Sequence, residues 1–435
     1  MVGGAVRDAL LGRPWHDVDW ATPDPEGAAR NRAEREGGTA FPIDPERGAW
    51  RTVLPPRADT DRSTDGPEPT TVDFVPLDGP IERDLARRDF TIDAMAVGPE
   101  GPVDPHDGRS DLAARRLRSV SPGAFRDDPL RPLRGVRLAA ELGLTWEAAT
   151  RDRAREAVEA LRSGTLPAPA PERIRDELIR IVRGDRPGDA LDEAHALGLL
   201  AYVLPEAVEG DGVAQGGLHH LDVLRHQLEA LQRLASAFPD ADDALRLATL
   251  LHDVGKPACR TVDPDGRIRF HGHAEVGARI VRRRLTVLRF PRAVRDRSAE
   301  LVRRHMLPLP KGDREARRFV HRRRTLLPDL LRLMLADREA ARGPLASQGA
   351  RDAYRTALGR VLRLLDEESA PVRAPWLDGR FVMRVLDLGP GPEVGQALRF
   401  LRESWAVGDV RDADEAEAAL RRFARARDRA TGDGR

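Results

Sequence analysis

The chain has 435 residues, a formal net charge of +1 at pH 7 and one cysteine, Cys259. A single cysteine excludes an intrachain disulfide and a cysteine-rich zinc site, and an aromatic content of 4% disfavours an extended stacking platform for single-stranded nucleic acid. The first residues lack a signal-peptide pattern and no apolar run reaches about 18 residues, so we expect a cytoplasmic protein with no membrane partner.

The first hundred residues or so have a mixed α/β pattern. Asp17 and Asp19 alternate with apolar residues, which predicts a strand with both acids on one face. Asp73 lies in a second predicted strand. Residues 55–69, between these strands, are rich in Pro, Asp, Thr and Gly, which predicts a loop.

This acidic pattern indicates phosphoryl transfer. Carboxylates at i and i+2 of a strand lie about 7 Å apart at their Cα atoms, which suits Asp17 and Asp19 to holding Mg²⁺ against a triphosphate. Asp73 is predicted as the third catalytic carboxylate. Gly3 and Gly4 would let backbone N–H groups approach phosphate oxygens. Asp-x-Asp alone is more typical of a solvated strand end, but the upstream glycine pair favours the catalytic interpretation.

From about Ser110 the apolar period becomes helical, as in the stripe formed by Leu133, Val136 and Leu138. The glycine-rich stretch 210–217 marks a boundary, and helical patterns continue beyond it. We therefore expect an α+β protein in which a head with a small mixed sheet precedes helical parts. The predicted domains are a catalytic head, a helical neck, a histidine-containing domain and a helical tail: 1–105, 106–210, 215–340 and 341–435.

The third predicted domain contains an ordered set of imidazoles and carboxylates that suits Zn, Mn, Fe, Co or Ni. Adjacent residues diverge by about 100° on a helix, so His252 and Asp253 can share a metal only near a helix end, which Gly255 and Pro257 favour. A lone histidine is more often a core or surface residue, and His195, His219, His220 and His321 receive that interpretation. The predicted ligands are His226, His252, Asp253, His273, His305 and Asp337.

Four segments of the first half resemble, in order and spacing, the class II tRNA nucleotidyltransferases, which comprise the CCA-adding enzymes and bacterial poly(A) polymerases. They are Gly3-Gly4-x-Val6-Arg7-Asp8, Asp17-x-Asp19, Arg87-Arg88-Asp89-Phe90-Thr91-Ile92 and Asp127-Asp128-Pro129-Leu130-Arg131. The resemblance implies that Asp17 and Asp19 bind Mg²⁺. It also implies a set of nucleotide-binding residues: Gly3, Gly4, Arg7, Arg88, Asp89, Asp128 and Arg131.

Within this resemblance, Asp128 and Arg131 would read the incoming base. At i and i+3 of a helix they would share a face. A carboxylate accepts from an exocyclic amine while a guanidinium donates to ring acceptors, and cytosine and adenine both offer an amine beside a ring nitrogen whereas uracil does not. One such pair would admit CTP and ATP without a template.

The chain departs from this family in three respects, one of which, Asp127 in place of Glu, is conservative in charge. The family has a strand before the glycine pair, of which only Met1-Val2 stands here, so we expect in-frame coding sequence upstream. The family also usually has Asn where Asp93 stands.

The histidine-containing segment resembles HD-domain phosphohydrolases. This resemblance implies that His226, His252, Asp253 and Asp337 bind one metal, and that His273 and His305 match the extra ligands of binuclear versions. Some bacterial CCA-adding enzymes carry an HD domain in this position, so the two resemblances support each other.

The predicted function is template-independent addition of CMP and AMP, from CTP and ATP, to the 3′ end of tRNA, with an HD phosphohydrolase activity. Alternatives within the class are a CC-only enzyme, an A-only enzyme or a poly(A) polymerase, among which the loop near 55–70 is expected to decide. An alternative of another class is an HD phosphodiesterase or phosphatase with a degenerate first half. A non-catalytic RNA-binding protein is disfavoured, because acidic clusters without metal repel RNA phosphates. No feature indicates the oligomeric state.

Overall fold

The structure, a computed structural model, falls into two compact units that are described separately. One comprises Met1–Val208 with Arg284–Phe290, and the other Glu209–Arg283 with Pro291–Arg435. The described residues are 1–13, 17–55, 70–217, 219–343, 347–367 and 376–432. Most of the loop predicted at 55–69 therefore lies outside the described residues.

The first unit begins with a four-stranded mixed sheet in the order β1-β4-β3-β2. Strands β1 and β4 are parallel, while β3 is antiparallel to both of its neighbours. The small mixed sheet expected from the sequence is thus confirmed. These strands are β1 Asp17–Thr22, β2 Thr39–Asp44, β3 Ala49–Leu54 and β4 Thr70–Pro76, with helices α1 Gly4–Leu10 and α2 Pro25–Glu36.

Helix α2 covers the sheet through a small apolar core. Ala29 is fully buried against Val72 and Phe74 of β4. The helix begins at an Asp24 cap that accepts a hydrogen bond from the Gly27 N–H (2.9 Å), and it ends at Gly37 in the left-handed conformation. Asp19 and Asp73 lie on the opposite face of β1 and β4.

The chain start is joined to β1 by backbone hydrogen bonds. The Val2 N–H donates to the Asp19 carbonyl (2.9 Å), and the Val97 N–H donates to the Met1 carbonyl (2.9 Å). Val2 is bridged to Ala96 as well. These bonds bring Gly3 beside the strand that carries Asp19.

The rest of the first unit is mainly helical. Helix α6, which spans Arg131–Leu142, buries the predicted stripe of Leu133, Val136 and Leu138, as the 3.6-residue period requires. The remaining elements are α3 Ile81–Leu85, a 3₁₀ turn Thr91–Asp93, β5 Ala96–Gly98, β6 Gly101–Val103, α4 Gly108–Ala113, β7 Arg116–Leu117, α5 Ala124–Asp127, α6 Arg131–Leu142, β8 Thr145–Trp146, α7 Ala148–Arg162, α8 Pro171–Arg183, α9 Pro187–Ala196, α10 Leu199–Val203 and α11 Pro205–Val208.

The second unit is almost entirely helical, so the α+β expectation is confirmed. Its elements are α12 Val223–Ala237, α13 Asp243–Leu250, a 3₁₀ turn Pro257–Cys259, β9 Thr261–Val262, β10 Ile268–Arg269, α14 His273–Val287 (whose last residues belong to the first unit), α15 Arg292–Arg304, α16 Asp313–Arg323, α17 Asp329–Ala340, α18 Gln348–Glu367, α19 Gly379–Leu386, α20 Pro392–Ala406 and α21 Ala413–Gly432.

Helix α12 packs against α13 and α17, and α13 also packs against α15. Helices α19 to α21 share a separate apolar core that includes Val382, Leu401 and Leu420. Across the described residues, none of the helices combines the length and apolar character needed to span a bilayer.

Candidate functional site

Two predicted catalytic carboxylates occupy neighbouring strands. Asp19 of β1 lies opposite Asp73 of β4 in the parallel register, while the backbone of Asp17 lies opposite Thr71. The Arg51 guanidinium of β3 donates to both oxygens of Asp73, at 2.6 and 2.7 Å. A cation bound through Asp73 would therefore compete with a bidentate ion pair.

Gly3 is required where it stands. Its φ of 73° lies in the left-handed region, and a Cβ there would clash with the Arg88 guanidinium. Arg88 is further held by Asp84 (3.0 Å) and by the Asp93 carbonyl (3.3 Å). The structure thus brings together Gly3 and Arg88, two of the predicted nucleotide-binding residues.

Arg7 and Gly4 lie in the first helix, where Arg7 is engaged in ion pairs. Its guanidinium donates to both oxygens of Asp8 (2.8 and 3.0 Å) and to Asp93 (2.5 Å). Burial lowers the pKa of Arg7, but the charges of Asp93 and Asp8 outweigh this and raise it above its ordinary value. In this arrangement Arg7 balances the buried carboxylate of Asp93 and the half-buried carboxylate of Asp8.

The other predicted nucleotide-binding residues line a cavity of about 510 Å³ in the first unit. Arg88 and Asp89 come from the segment after α3, whereas Asp128 and Arg131 come from the α5–α6 connection. Four residues that are separated in sequence by up to 43 positions thus share one polar cavity. Further charged residues line it: Asp84, Arg87, Asp93, Arg134, Arg173, Asp176, Glu177 and Arg180.

The expectation that Asp128 and Arg131 lie one turn apart on a helix is wrong. Asp128 has an extended backbone (φ −145°, ψ 103°) after α5, and α6 begins only at Arg131. Pro129 explains this, because the residue before a proline is disfavoured in the helical region.

These two side chains also have other partners. The Asp128 carboxylate accepts from Arg173 (2.5 Å) and from the Leu130 N–H (3.1 Å). Burial raises the pKa of Asp128, but these bonds outweigh it and lower it. Arg131 donates to the carbonyls of Arg87 (2.7 Å), Ala124 (2.9 Å) and Arg88 (3.4 Å).

Arg134 lines the same cavity and was missed by the sequence reasoning. It pairs with Asp89 at 3.0 Å and with Asp93 at 3.6 Å. The charge of Asp89 is the main reason that the pKa of Arg134 lies above its ordinary value. Its position one helical turn after Arg131 was the available signal.

In the second unit, four predicted ligand atoms converge. His226 Nε2 lies 2.9 Å from Asp337 Oδ1 and 3.7 Å from Asp253 Oδ2, and His252 Nε2 lies 3.2 and 3.6 Å from Asp253 Oδ2 and Asp337 Oδ1. His252 and Asp253 follow the end of α13 at Leu250, as the angular argument requires. We call these residues, together with His273 and His305, the histidine cluster.

Asp253 joins two parts of this cluster. Its Oδ2 faces His226 and His252, while its Oδ1 lies 3.4 Å from His273 Nε2 and 3.6 Å from His305 Nε2. Two triads could each hold a metal ion and share this carboxylate: His226, His252, Asp253 and Asp253, His273, His305.

Local backbone bonds orient three of the imidazoles. Nδ1 of His252, His273 and His305 each lies 2.7–2.8 Å from the carbonyl oxygen three residues earlier. A ring nitrogen next to a carbonyl oxygen carries a proton, so in the neutral tautomer of each ring the lone pair is on Nε2, which faces the cluster. This tautomer is the one that a metal ligand needs.

Both carboxylates of the histidine cluster have a pKa well below the usual range. Burial raises the pKa of Asp337, but hydrogen bonds from His226 and His252 hold it well below its usual range. Burial likewise lowers the pKa of His252, but Asp253 and Asp337 outweigh it and raise the value to about 10. An all-nitrogen-and-oxygen set with two carboxylates suits a divalent transition ion.

Three further residues border the cluster. The buried Lys256 ammonium donates to Asp253 Oδ2 (2.5 Å) and to Gln215 Oε1 (2.6 Å). His219 stands edge-on against His226, with ring centroids 4.5 Å apart. The sequence interpretation had given His219 no role, and no local pattern distinguishes it from its neighbour His220.

Three protein families match separate parts of the chain. The profile of the Poly A polymerase head domain family matches residues 1–118, that of the HD domain matches residues 220–342, and that described as "Probable RNA and SrmB- binding site of polymerase A" matches residues 152–209.

Full-length relatives are similar as well. The chain is 50% identical to an A-adding tRNA nucleotidyltransferase of Deinococcus radiodurans (98% of this chain, 95% of that protein) and 44% identical to a CC-adding tRNA nucleotidyltransferase of Thermus thermophilus (96% and 92%). A solved CCA-adding enzyme with ATP has a TM-score of 0.61 at 19% identity (95% and 88% of the chains), which shows a similar fold.

Proposed function

The chain belongs to the tRNA nucleotidyltransferase family, and from this we propose that it transfers CMP or AMP from CTP or ATP to the 3′-hydroxyl of tRNA without a template, releasing pyrophosphate. The observation that carries the proposal is the polar cavity in which Arg88, Asp89, Asp128 and Arg131 meet. Membership also implies dependence on divalent metal ions. We expect the reaction to take place in the cytoplasm, because its substrate would be tRNA.

Adenylate addition alone is a second candidate. It is favoured by the 50% identity, over 98% of this chain, to a protein described as A-adding. A CC-only enzyme remains the third candidate, because the CC-adding relative is 44% identical. Poly(A) synthesis is disfavoured, since the named relatives act on tRNA.

We propose the following roles at the polymerising site. Asp19, together with Asp17 and with Asp73 as the third carboxylate, would hold Mg²⁺, whose chemistry is to neutralise the triphosphate and to favour the attacking alkoxide. Arg88 and Arg134 would orient the triphosphate, because their guanidinium groups line the cavity and are held in place by carboxylates.

Base selection is assigned to Asp128 and Arg131. Asp128 would accept from the exocyclic amine of cytosine or adenine, and Arg131 would donate to a ring acceptor. Both side chains line the cavity, although Arg131 is held by three carbonyls. The same two groups present the wrong donors and acceptors to uracil.

We further propose a phosphohydrolase activity for the histidine cluster, with Mn²⁺, Ni²⁺, Co²⁺, Fe²⁺ or Zn²⁺ as the metal. A bound ion of this kind lowers the pKa of a water ligand and polarises a phosphoryl oxygen. The substrate would be a cyclic or terminal phosphate on an RNA 3′ end, since nucleotide addition requires a free hydroxyl there.

The polymerising activity is tested with three tRNA transcripts, which lack all of the terminal CCA, lack only the final A, or are complete. Each is incubated with one labelled nucleoside triphosphate and Mg²⁺. CCA addition predicts CMP incorporation on the first transcript and AMP on the second; an A-only enzyme extends only the second. Asp19→Ala should lower incorporation by several orders of magnitude. Near-normal incorporation by this variant would refute the site assignment.

A further inference from the structure

His219 lies in a segment that the structure ties to the histidine cluster. Its N–H donates to the Gly216 carbonyl (3.0 Å), and Gly216 has a φ of 90° that favours glycine. The Gln215 amide nitrogen donates to the carbonyls of Leu221 (3.2 Å) and Asp222 (3.1 Å). The turn that carries His219 is therefore closed by bonds on both sides.

The same turn is connected to a candidate metal ligand. Gln215 Oε1 accepts from the Lys256 ammonium (2.6 Å), which also donates to Asp253 Oδ2 (2.5 Å). Gln215 and Lys256 are both buried, so this connection is shielded from solvent. The position of the turn is thus fixed relative to the cluster.

The imidazole of His219 meets the cluster edge-on. Its ring is 4.5 Å from that of His226 and inclined by 83°, and His226 directs Nε2 towards Asp337. His219 Nδ1 is inaccessible to solvent and, among the described residues, has no hydrogen-bond partner. Buried polar atoms without a partner are rare in folded proteins, so this nitrogen beside the histidine cluster is a candidate to bind a ligand.

His219 is also outside the groups that converge as metal ligands. His219 Nδ1 is therefore suited to contact a molecule bound to the metal rather than to bind the metal itself. The surroundings of His219 contain a cation as well as carboxylates. Lys256 pairs with Asp253 Oδ2, the oxygen that also faces His226 and His252. Such a mixture of an imidazole, an ammonium and a bound cation is suited to phosphate oxygens.

We propose that His219 is a substrate-contacting residue of the histidine cluster, whose ring donates a hydrogen bond to a non-bridging phosphoryl oxygen of a phosphoester bound there. This rests on the phosphohydrolase activity proposed above for the same cluster. No bond to His219 is made or broken, and its contribution is to bind and orient the phosphoryl group. Inorganic phosphate, the simplest anion with the same oxygens, should occupy the same position.

The test uses the full chain loaded with Ni²⁺ and compares His219→Ala with His220→Ala. His220 is the adjacent, exposed histidine and is the matched control. Calorimetry measures the affinity first for Ni²⁺ and then for inorganic phosphate. We expect His219→Ala to weaken phosphate binding about tenfold and to leave Ni²⁺ affinity within about twofold. His219→Asn, which retains a donor, should recover part of the affinity, and His220→Ala should behave as the wild type.

Several outcomes would overturn the inference. The first is that His219→Ala and the wild type bind phosphate with equal affinity, and the second is that His220→Ala loses as much phosphate affinity as His219→Ala. The third is that the Ni²⁺-loaded wild type does not bind phosphate. The fourth is that His219→Ala loses affinity for both Ni²⁺ and phosphate, which would mean that His219 supports the metal ligands. Hydrolysis of 2′,3′-cyclic AMP is measured in parallel. Absence of hydrolysis by the wild type refutes the proposed phosphohydrolase activity, whereas the phosphate affinities decide the role of His219. Unchanged Ni²⁺ affinity confirms that the second unit is folded in each variant, and CMP or AMP addition should be the same in all of them.

Discussion

Asp93 should be the most destabilising carboxylate to remove from the nucleotide cavity. Its side chain is only 1% exposed, and three arginines converge on this residue. Arg7 donates to Oδ1 (2.5 Å), Arg134 lies 3.6 Å from Oδ2, and Arg88 donates to the backbone carbonyl (3.3 Å). Replacement by Ala removes the first two contacts and keeps the third.

The expected cost follows from what each arginine retains. A hydrogen bond to a charged group is worth about 1.5–3 kcal/mol, and a buried charge left wholly without a partner costs about 3–5 kcal/mol. Arg7 keeps both oxygens of Asp8, and Arg134 keeps Asp89 at 3.0 Å. We therefore expect Asp93→Ala to lower the free energy of unfolding by about 2–3 kcal/mol. Asp93→Asn keeps an acceptor for Arg7 and should cost about 1 kcal/mol.

The measurement must report on the first unit alone, because a chain with two compact units need not unfold in one step. Native-state hydrogen exchange of peptides from residues 1–208, followed as a function of urea, provides this. Asp152→Ala, which removes an exposed ion pair with Arg155 at 3.5 Å, is the control and should cost less than about 1 kcal/mol. Equal protection in Asp93→Ala and this control would show that Asp93 does not hold the arginines as described.

Three further outcomes are expected. Gly3→Ala should raise the KM for CTP and ATP, because the added Cβ displaces a guanidinium and forces a positive φ on a residue that resists it; an unchanged KM contradicts this. Arg131→Ala should weaken discrimination against UTP, as competition between labelled triphosphates will measure, whereas an equal loss for all triphosphates would make Arg131 a support of the backbone carbonyls it bonds. His252→Ala combined with Asp253→Ala should abolish metal-dependent hydrolysis of 2′,3′-cyclic AMP and spare CMP and AMP addition, while Asp19→Ala should do the reverse; hydrolysis that survives the double change has another source.

The sequence predicted those features that depend on residue type and local spacing. Strand alternation placed Asp19 on β1, and the parallel register sets it opposite Asp73. The need for a helix end at His252 and Asp253 was also foreseen, and α13 ends at Leu250. Few residue types can bind metal ions, so an ordered set of such residues in a sequence is a specific indication of a metal site.

Features that depend on distant partners could not be predicted in this way. Nothing near Asp73 in sequence indicates that Arg51, across the strand pair, binds both of its oxygens. Asp128 was assigned to a helix because only its spacing to Arg131 was considered, and the effect of Pro129 on the backbone was overlooked. His219 was given no role because helical periodicity does not place it beside His226. The two rings meet only through the path of the turn that carries His219.

The ligands of the histidine cluster are contributed by segments that are far apart in the chain. His226 lies on α12, His252 and Asp253 follow α13, His273 begins α14, His305 follows α15, and Asp337 lies on α17. A cation bound there would act as a cross-link that spans more than a hundred residues. The free energy of metal binding would then oppose the separation of all of these helices at once. The ion that takes part in hydrolysis would therefore also stabilise the fold of this part of the protein.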